Sequence, residues 1–402
     1  MTALVRPAAR AGGVRPSPLA EAISAGLRPG VVPLTVGSPA PELQPTEALG
    51  EALARVHRDV GAAALGYGPP EGHPELRAMI AERSAERGTP CRADDVIVTN
   101  GSQQALDLVG RMLLEPGSAV VVERPTYLGA IEAFRQYETE FVPVGMDEDG
   151  MRTDELERVL AADAGRRIRL IYTMPNYHNP TGRTLSAERR VRLVELAQRY
   201  AVPVVEDDAY AELGFDPVHR PTLAGLDDSG LVLALGSMSK VLSPGLRVGW
   251  AVARGPFHRI LSGLKERSDL LSALAPQLAV VDLCRDGGLD AHLARVVPRY
   301  RERRDAMAAA VDRHLGAAVA RTEPAGGFYL WLSFRSGLDT RELFARAVRG
   351  GVAFLPGGPF HVDGTGAGTL RLGYAGAGPE LIDEGVRRLA AAAGEHRLAA
   401  AG

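Results

Sequence analysis

The chain is poor in cysteine: of 402 residues only Cys91 and Cys284 are cysteines. Two are too few for a disulfide framework, and their separation is not that of a zinc site, so a metal centre is not expected and a reducing cytoplasm is the expected compartment. Long apolar runs are also missing. No stretch approaches the roughly 20 uninterrupted apolar residues that a membrane-spanning helix needs. An excess charge of either sign is nearly absent, since the formal net charge is -3 and acids and bases are mixed along the sequence. That leaves no electrostatic footprint for a nucleic-acid backbone or an anionic membrane, and small molecules are the expected partners. Acids are absent from Met1 to Ala20, where Arg6, Arg10 and Arg15 give the composition of a transit peptide. Pro7, Pro16 and Pro18 would interrupt the amphipathic helix of such a signal, so the segment is expected to be a flexible arm.

What the chain does have is apolar material, 46% of residues, over a length that suits two domains or a large one with a smaller one packed on it. From about Asp95 short β-branched runs alternate with helical patterns, the signature of βαβ units and a mainly parallel sheet. The candidate strands are Val96 to Thr99, Ala119 to Val122, Ile168 to Tyr172, Pro203 to Glu206, Leu231 to Leu235 and Val248 to Val252. Between them, Ser186 to Tyr200 reads as a crossover helix, with Ser186 as cap, Glu188 in the first turn and an apolar face of Val191, Val194 and Ala197. Beyond about Leu264 charged helical patterns take over, notably Arg299 to His314 and Pro379 to Ala393. The division expected is an N-terminal arm and helix over 1–36, a large domain over 37–264 and a small domain over 265–402. The glycine-rich stretch Gly357 to Gly368 fits a loop beside an active site.

Chemistry concentrates where these strands end. Gly236-Ser-Met-Ser-Lys240 follows an apolar strand, where ligand-bearing loops leave a parallel sheet. A buried amine has a lowered pKa and acts as nucleophile and base near neutral pH. Ser237, Ser239 and Arg247 together suit a phosphate dianion. Gly101-Ser102-Gln103 lies between a strand and a helix start, so unpaired amides there form an anion site, although a plain strand-to-helix turn has the same pattern. In Glu206-Asp207-Asp208-Ala209-Tyr210 adjacent residues face opposite ways, so Asp207 and Asp208 cannot serve one ligand. One of them could hold a ring nitrogen protonated, and a solvated loop start or helix cap is the plainer alternative. Pro175 to Gly182 is a turn-forming cluster in which Asn179, together with Tyr210, can donate to an anionic oxygen.

Asn179-Pro-Thr-Gly, the Glu206-Asp-Asp-Ala-Tyr210 pentapeptide and Ser237-Met-Ser-Lys240 followed by Pro244-Gly-Leu-Arg247 occur in an order and spacing that resembles the class I/II aminotransferases of fold type I. The chain looks most similar to the subgroup of 2-aminoadipate aminotransferase and kynurenine aminotransferase II, and the resemblance runs from Pro18 to Ala393. It implies an α/β fold with a mainly parallel seven-stranded sheet, a smaller α+β domain and pyridoxal 5'-phosphate as cofactor. It also implies roles. Lys240 would carry the cofactor and act as base, Asp207 would pair with the ring nitrogen, and Asn179 and Tyr210 would bind the phenolic oxygen. Tyr127 would stack on the ring, and Ser102, Gln103, Ser237, Ser239 and Arg247 would hold the phosphate. Tyr67 would reach the phosphate from the neighbouring subunit of a homodimer. Arg371, in Thr369-Leu-Arg371-Leu-Gly, matches the clamp for the substrate carboxylate, although its alternation with Leu370 and Leu372 also suits the exposed face of a strand. Gly37 and Pro356 to Phe360 match pocket-lining positions.

The resemblance implies amino-group transfer from an L-amino acid to a 2-oxo acid by a ping-pong mechanism. Other outcomes of the same carbanion (cyclisation, elimination, decarboxylation, oxidation) stay open, as does a non-catalytic effector-binding module. Against the module, the roughly 35 residues before the matched fold are fewer than the 50 or so of a usual DNA-binding domain. Two departures stand out. Ser17-Pro-Leu-Ala20-Glu21 replaces Ser-x-Ile-Arg-Glu of the aminoadipate type, and Ala20 cannot pair with an acidic side chain. This leaves room for a neutral, aromatic or cationic substrate, with Glu21 or Asp269 as acids to meet a cation. His178 stands where glutamine is common, and no role is assigned to it.

Overall fold

The computed structural model describes residues 17–399 except Val36 and residues 217–219. The expected N-terminal arm, apart from Ser17 to Ala20, lies outside the described residues. In chain order the strands are β1 (Val32–Pro33), β2 (Val96–Asn100), β3 (Ala119–Arg124), β4 (Glu140–Asp147), β5 (Gly150–Met151), β6 (Ile168–Thr173), β7 (Val204–Asp207), β8 (Val232–Ser237), β9 (Val248–Val252), β10 (Val319–Arg321), β11 (Tyr329–Phe334), β12 (Val352–Ala353), β13 (Leu355–Pro356) and β14 (Thr369–Gly373).

The central sheet runs β2-β9-β8-β7-β6-β3-β4-β5. The pairs β8 with β7, β7 with β6, β6 with β3 and β3 with β4 are parallel, while β9 is antiparallel to both its neighbours. The expected mainly parallel seven-stranded sheet is there, with β5 added as a two-residue eighth strand at one edge. The strand that periodicity passes over is β4, because Pro143 and Gly145 interrupt its apolar pattern. Proline is tolerated only near a sheet edge, where β4 sits. Strands such as β3, apolar over Ala119 to Val122, are buried on both faces by helices and need no alternation.

The crossover helix Ala187–Tyr200 begins after Ser186 as expected, but the Ser186 side chain makes no capping hydrogen bond. Its inward face is Arg190, Leu193, Val194, Leu196 and Ala197, and Val191 is exposed. The two leucines set the angle of the face and leave Val191 outside it. Arg190 tolerates burial because its guanidinium donates to the carbonyls of Leu185, Pro175 and Pro221 and to Asn176 Oδ1.

The second layer is an antiparallel sheet, β10-β11-β14-β13, packed with the helices Gly288–His314, Thr340–Arg349 and Pro379–Ala399. The first of these runs back through Pro298 to Gly288 rather than starting at Arg299. Residue 264, where composition places the end of the large domain, falls inside the continuous helix Gly255–Asp269. The following helix Leu274–Cys284 packs on Thr46–Asp59. Apolar runs thin out there because the sheet has ended, and amphipathic helices that still cover it carry charge on their outer faces. Parallel pairing of β1 with β12 ties the N-terminal segment to the C-terminal layer.

Candidate active site

Strands β2, β3, β6, β7 and β8 point the same way, and their carboxyl ends deliver Gly101 to Gln103, Tyr127, Asn179, Asp207 and Lys240 to one edge of the sheet. Such an edge is where open α/β sheets bind ligands. β14 brings Arg371 from the other layer.

The anion cup is built by backbone. Gly101, at φ 73°, is the N-cap of the helix Ser102–Leu113, and no side chain caps that helix. A Cβ on Gly101 would collide with the Arg247 guanidinium, and one on Gly249 would stand 2.6 Å from Ser102 N. Arg247 is fixed by donating to the carbonyls of Pro244 (3.2 Å) and Asn100 (3.0 Å). Ser237 Oγ accepts from Ser239 N at 3.1 Å, and both serines are buried. Gln103 turns its side-chain amide to the carbonyl of Gly129 at 2.9 Å. Gln104 accepts from Asn100 N and donates to Asp269, which also pairs with the buried Lys265 at 2.6 Å. Asp269 is therefore engaged on both oxygens by side chains of the protein itself.

Only one member of the acidic run faces the site. Glu206 accepts the amides of Leu223 and Ala224, and Asp208 accepts from Arg87 and Asn176. Asp207 accepts from the Tyr172 hydroxyl at 2.8 Å through Oδ2, whereas its buried Oδ1 has no partner. Burial pushes its carboxyl up to about 6. Burial likewise raises the Tyr127 phenol, with the charge of Asp207 acting in the same direction. Gly129 makes room for the Tyr127 ring, since a Cβ there would stand 2.5 Å from Tyr127 Cζ.

Lys240 Nζ donates to the carbonyl of Gly37 at 2.6 Å and lies 5.7 Å from the centre of the Tyr210 ring. Burial pushes its ammonium below the ordinary lysine range, and the charges of Arg371 and Arg247 add to that. Arg371 is 2% exposed, so the reading of it as an exposed strand residue does not hold. It donates to Asn179 Oδ1 at 2.8 Å and to the carbonyl of Thr35 at 3.1 Å, and its buried Nε has no partner. Its Cζ lies 4.0 Å from the centre of the Tyr329 ring and 5.4 Å from that of Phe360. The loop after β13 is thus at the site, and Phe360 O accepts from Thr126 N beside Tyr127. Tyr67 stands apart, 86% exposed on the surface.

Residues 29–389 match the family model for aminotransferase class I and II. The chain belongs to that family. This aminotransferase is 43% identical over 382 residues to a 2-aminoadipate transaminase of Thermus thermophilus, covering 94% of each chain. It is 38% identical over 384 residues to aromatic-amino-acid aminotransferase 1 of Thermococcus litoralis, covering 95% of this chain and 92% of that one. Among solved structures, an α-aminoadipate aminotransferase of Thermus thermophilus, complexed with N-(5'-phosphopyridoxyl)-L-leucine, superposes with a TM-score of 0.89 at 41% identity and 96% coverage of both chains. The enzyme is a fold type I, pyridoxal-phosphate-dependent aminotransferase. Its residues fit that cofactor: the orphaned oxygen of Asp207 suits a protonated ring nitrogen, and the cup of Gly101, Gly249 and Arg247 suits a phosphate.

Three neighbours of the site escaped the sequence motifs. Tyr172 follows from register, because it pairs with Val205 and so shares a side with Asp207 two residues on. Tyr329 has a weaker signal, a tyrosine directly after Gly326-Gly327-Phe328 at the start of a strand. The buried Glu123 carries none beyond being an acid at the end of an apolar run. It accepts from Thr173 Oγ1 and Met174 N and lies 3.1 Å from His178 Nε2, while His178 Nδ1 meets Thr181 Oγ1 at 2.9 Å. His178 thus braces the turn that presents Asn179.

Proposed function

We propose that the chain transfers the amino group of an L-amino acid with a non-acidic side chain to a 2-oxo acid by ping-pong kinetics, with Lys240 as covalent anchor and proton carrier. One observation carries the reading. An amine whose basicity burial depresses and a buried guanidinium meet at one pair of phenols, Tyr210 and Tyr329, whose hydroxyls are 3.1 Å apart.

Bound pyridoxal phosphate supplies the electron sink that makes a substrate Cα–H acidic. Asp207 Oδ1 would hold the ring nitrogen, the Tyr127 ring would lie against the cofactor, and the Asn179 amide and Tyr210 hydroxyl would donate to its phenolic oxygen. The amides of Ser102 and Gln103, the hydroxyls of Ser237 and Ser239, and Arg247 would hold the phosphate. Arg371 would bind the substrate carboxylate with Gly37 and Asn179 beside it, which would orient the amino acid relative to Lys240 Nζ. Lys240, its basicity lowered by burial, would be the group that holds and carries that proton.

A non-acidic side chain is favoured because the helix Pro18–Gly26, packed through Leu19 and Ala22 on the cluster around Phe360, offers Ala20 and no cation. A homodimer with Tyr67 reaching across it is supported by that ring's exposure close in sequence to Leu65, itself 72% exposed. A cytoplasmic place is supported by Cys91 and Cys284, which stand as free thiols. Among the described residues no helix is long and apolar enough to cross a membrane.

The test is a panel of acidic, aromatic, neutral and guanidino amino acids with an acceptor oxo acid. Wild type should turn yellow with pyridoxal phosphate and aminate the acceptor, and Lys240→Ala should do neither. An amino group that never reaches any acceptor would rule out transamination.

A further inference from the structure

Asp269 is the last residue of the helix Gly255–Asp269, and Lys265 stands one turn before it, fully buried. A carboxylate at a helix C-terminus opposes the helix dipole, and burying an ammonium is costly, so helix stability alone does not account for the pair. Lys265 Nζ donates to Asp269 Oδ1 at 2.6 Å. The other oxygen, Oδ2, accepts from Gln104 Nε2 at 2.8 Å, and Gln104 lies in the first turn of the helix that opens the anion cup.

From Gln104 the hydrogen bonds run on in one direction. Its side-chain oxygen accepts from Asn100 N at 2.7 Å. The carbonyl of that same peptide unit, Thr99 O, accepts from Gly101 N at 2.8 Å. The carbonyl of the next unit, Asn100 O, accepts from the Arg247 guanidinium at 3.0 Å. Three amide groups therefore stand head to tail between a cation, Arg247, and an anion, Asp269. Each donates toward Asp269 and accepts from the Arg247 side, the order in which hydrogen bonds reinforce one another. Arg247 itself sits at φ 53°, a left-handed conformation that its surroundings must hold. Its bonds to Asn100 O and Pro244 O fix the guanidinium and leave its other N–H groups for an anion.

We infer that Asp269 is a positioning residue for the coenzyme's phosphate: through Gln104 and the Thr99–Gly101 turn it sets where Arg247 and the amides after Gly101 stand, with Lys265 neutralising it from behind. The inference rests on the aminotransferase reading of the site. A hydrogen bond to an ionised acceptor is stronger than one between neutral groups, so Gln104 is held firmly. A turn fixed before binding spares the ordering cost at the moment of binding.

Pyridoxal differs from pyridoxal phosphate only in lacking the phosphate, so binding of both to the apoprotein separates a phosphate effect from a general one. Gln104→Met keeps the volume and breaks the series. The dissociation constant of pyridoxal phosphate, read from visible absorbance, should rise about tenfold, and that of pyridoxal should stay within about twofold of wild type. Lys265→Met with Asp269→Leu removes both charges together, so that no lone charge is buried, and should give the same selective loss. Lys265→Met with Asp269→Asn keeps an oxygen for Gln104 and should recover most of the affinity. Added to Gln104→Met, the Lys265→Met and Asp269→Leu changes should weaken binding less than about twofold further, because members of one series are not additive. An unchanged affinity in Gln104→Met, a loss shared equally by both compounds, or losses that multiply in the combined variant overturns the inference while the aminotransferase reading stands. Wild-type apoprotein that takes up no pyridoxal phosphate overturns that reading itself.

Discussion

The Tyr172 hydroxyl holds one oxygen of Asp207 at 2.8 Å and leaves the other buried without a partner. Parallel register sets this up, because Tyr172 on β6 pairs with Val205 on β7 and Asp207 falls two residues on, on the same face. The bond stabilises the ionised carboxylate against burial. Tyr172→Phe removes a hydrogen bond to a charged group, a loss of about 1.5–3 kcal/mol, so Asp207 should hold a protonated ring nitrogen less well. Affinity of the apoprotein for pyridoxal phosphate should fall about tenfold or more, as measured by equilibrium dialysis. An unchanged affinity would show that Tyr172 merely fills space.

The raised Asp207 also predicts a pH dependence of the apoprotein. Its folded value, about 6, lies above the ordinary 3.8, so between those values the folded state binds more protons than the unfolded one. Its contribution is favourable below pH ~4 and is lost as pH rises through about 6. Two units correspond to about 3 kcal/mol. Asp207→Asn, which cannot ionise, should therefore gain stability relative to wild type on going from pH 4 to pH 8. Urea unfolding of both apoproteins at the two pH values measures that difference, and a variant that loses ground at pH 8 would contradict the assignment. Saturating coenzyme should abolish the gain, since the ring nitrogen supplies the missing partner.

The parts of the site legible in the sequence are those carried by strand ends and turns. Lys240, Asp207, Asn179 and the Gly101 turn stand directly after apolar strands, where local pattern and chemistry coincide. Arg371 is legible only through the resemblance, because alternation with Leu370 and Leu372 describes an exposed strand face equally well; pairing of β14 between β11 and β13 is what buries it. Lys265 and Asp269 pair at i,i+4 within one helix, as helical spacing allows, but the chain's periodicity gives no hint that Gln104 reaches Asp269 from another helix. Strand β4 escaped because Pro143 and Gly145 break its apolar run, and the domain limit at 264 because a helix covering the sheet is as charged outside as any other.

Arg371 reaches Asn179 with one terminal nitrogen and the carbonyl of Thr35 with the other. A lysine has no fork with which to make both contacts and still face a carboxylate squarely. Arg371→Lys keeps the charge, so any loss reports geometry. The specificity constant kcat/KM should fall about 100-fold, mostly through KM, with the coenzyme's visible band little changed. A fall confined to kcat would place Arg371 in the chemical step instead.

Behind the Asn179 turn, the carboxylate of Glu123 gathers Thr173 Oγ1 at 2.7 Å, Met174 N at 3.1 Å and His178 Nε2 at 3.1 Å, with Glu123 1% and His178 0% exposed. Replacing Glu123 by alanine leaves two buried donors, Thr173 Oγ1 and Met174 N, without their acceptor, takes the facing carboxylate from His178 Nε2 and opens a cavity, costs that together reach about 3–5 kcal/mol. Glu123→Gln retains the volume and one acceptor oxygen, and its cost should be less than half of that. The stability loss should come with a functional one, because His178 holds Thr181 and the turn between them presents Asn179. In Glu123→Ala, KM for the amino acid and the coenzyme's dissociation constant should both rise, while in Glu123→Gln the rise should be partial. Urea denaturation and coenzyme titration on the same preparations separate the cases: a variant that loses stability but binds coenzyme and substrate as wild type does would show that the brace supports the fold and leaves Asn179 in place.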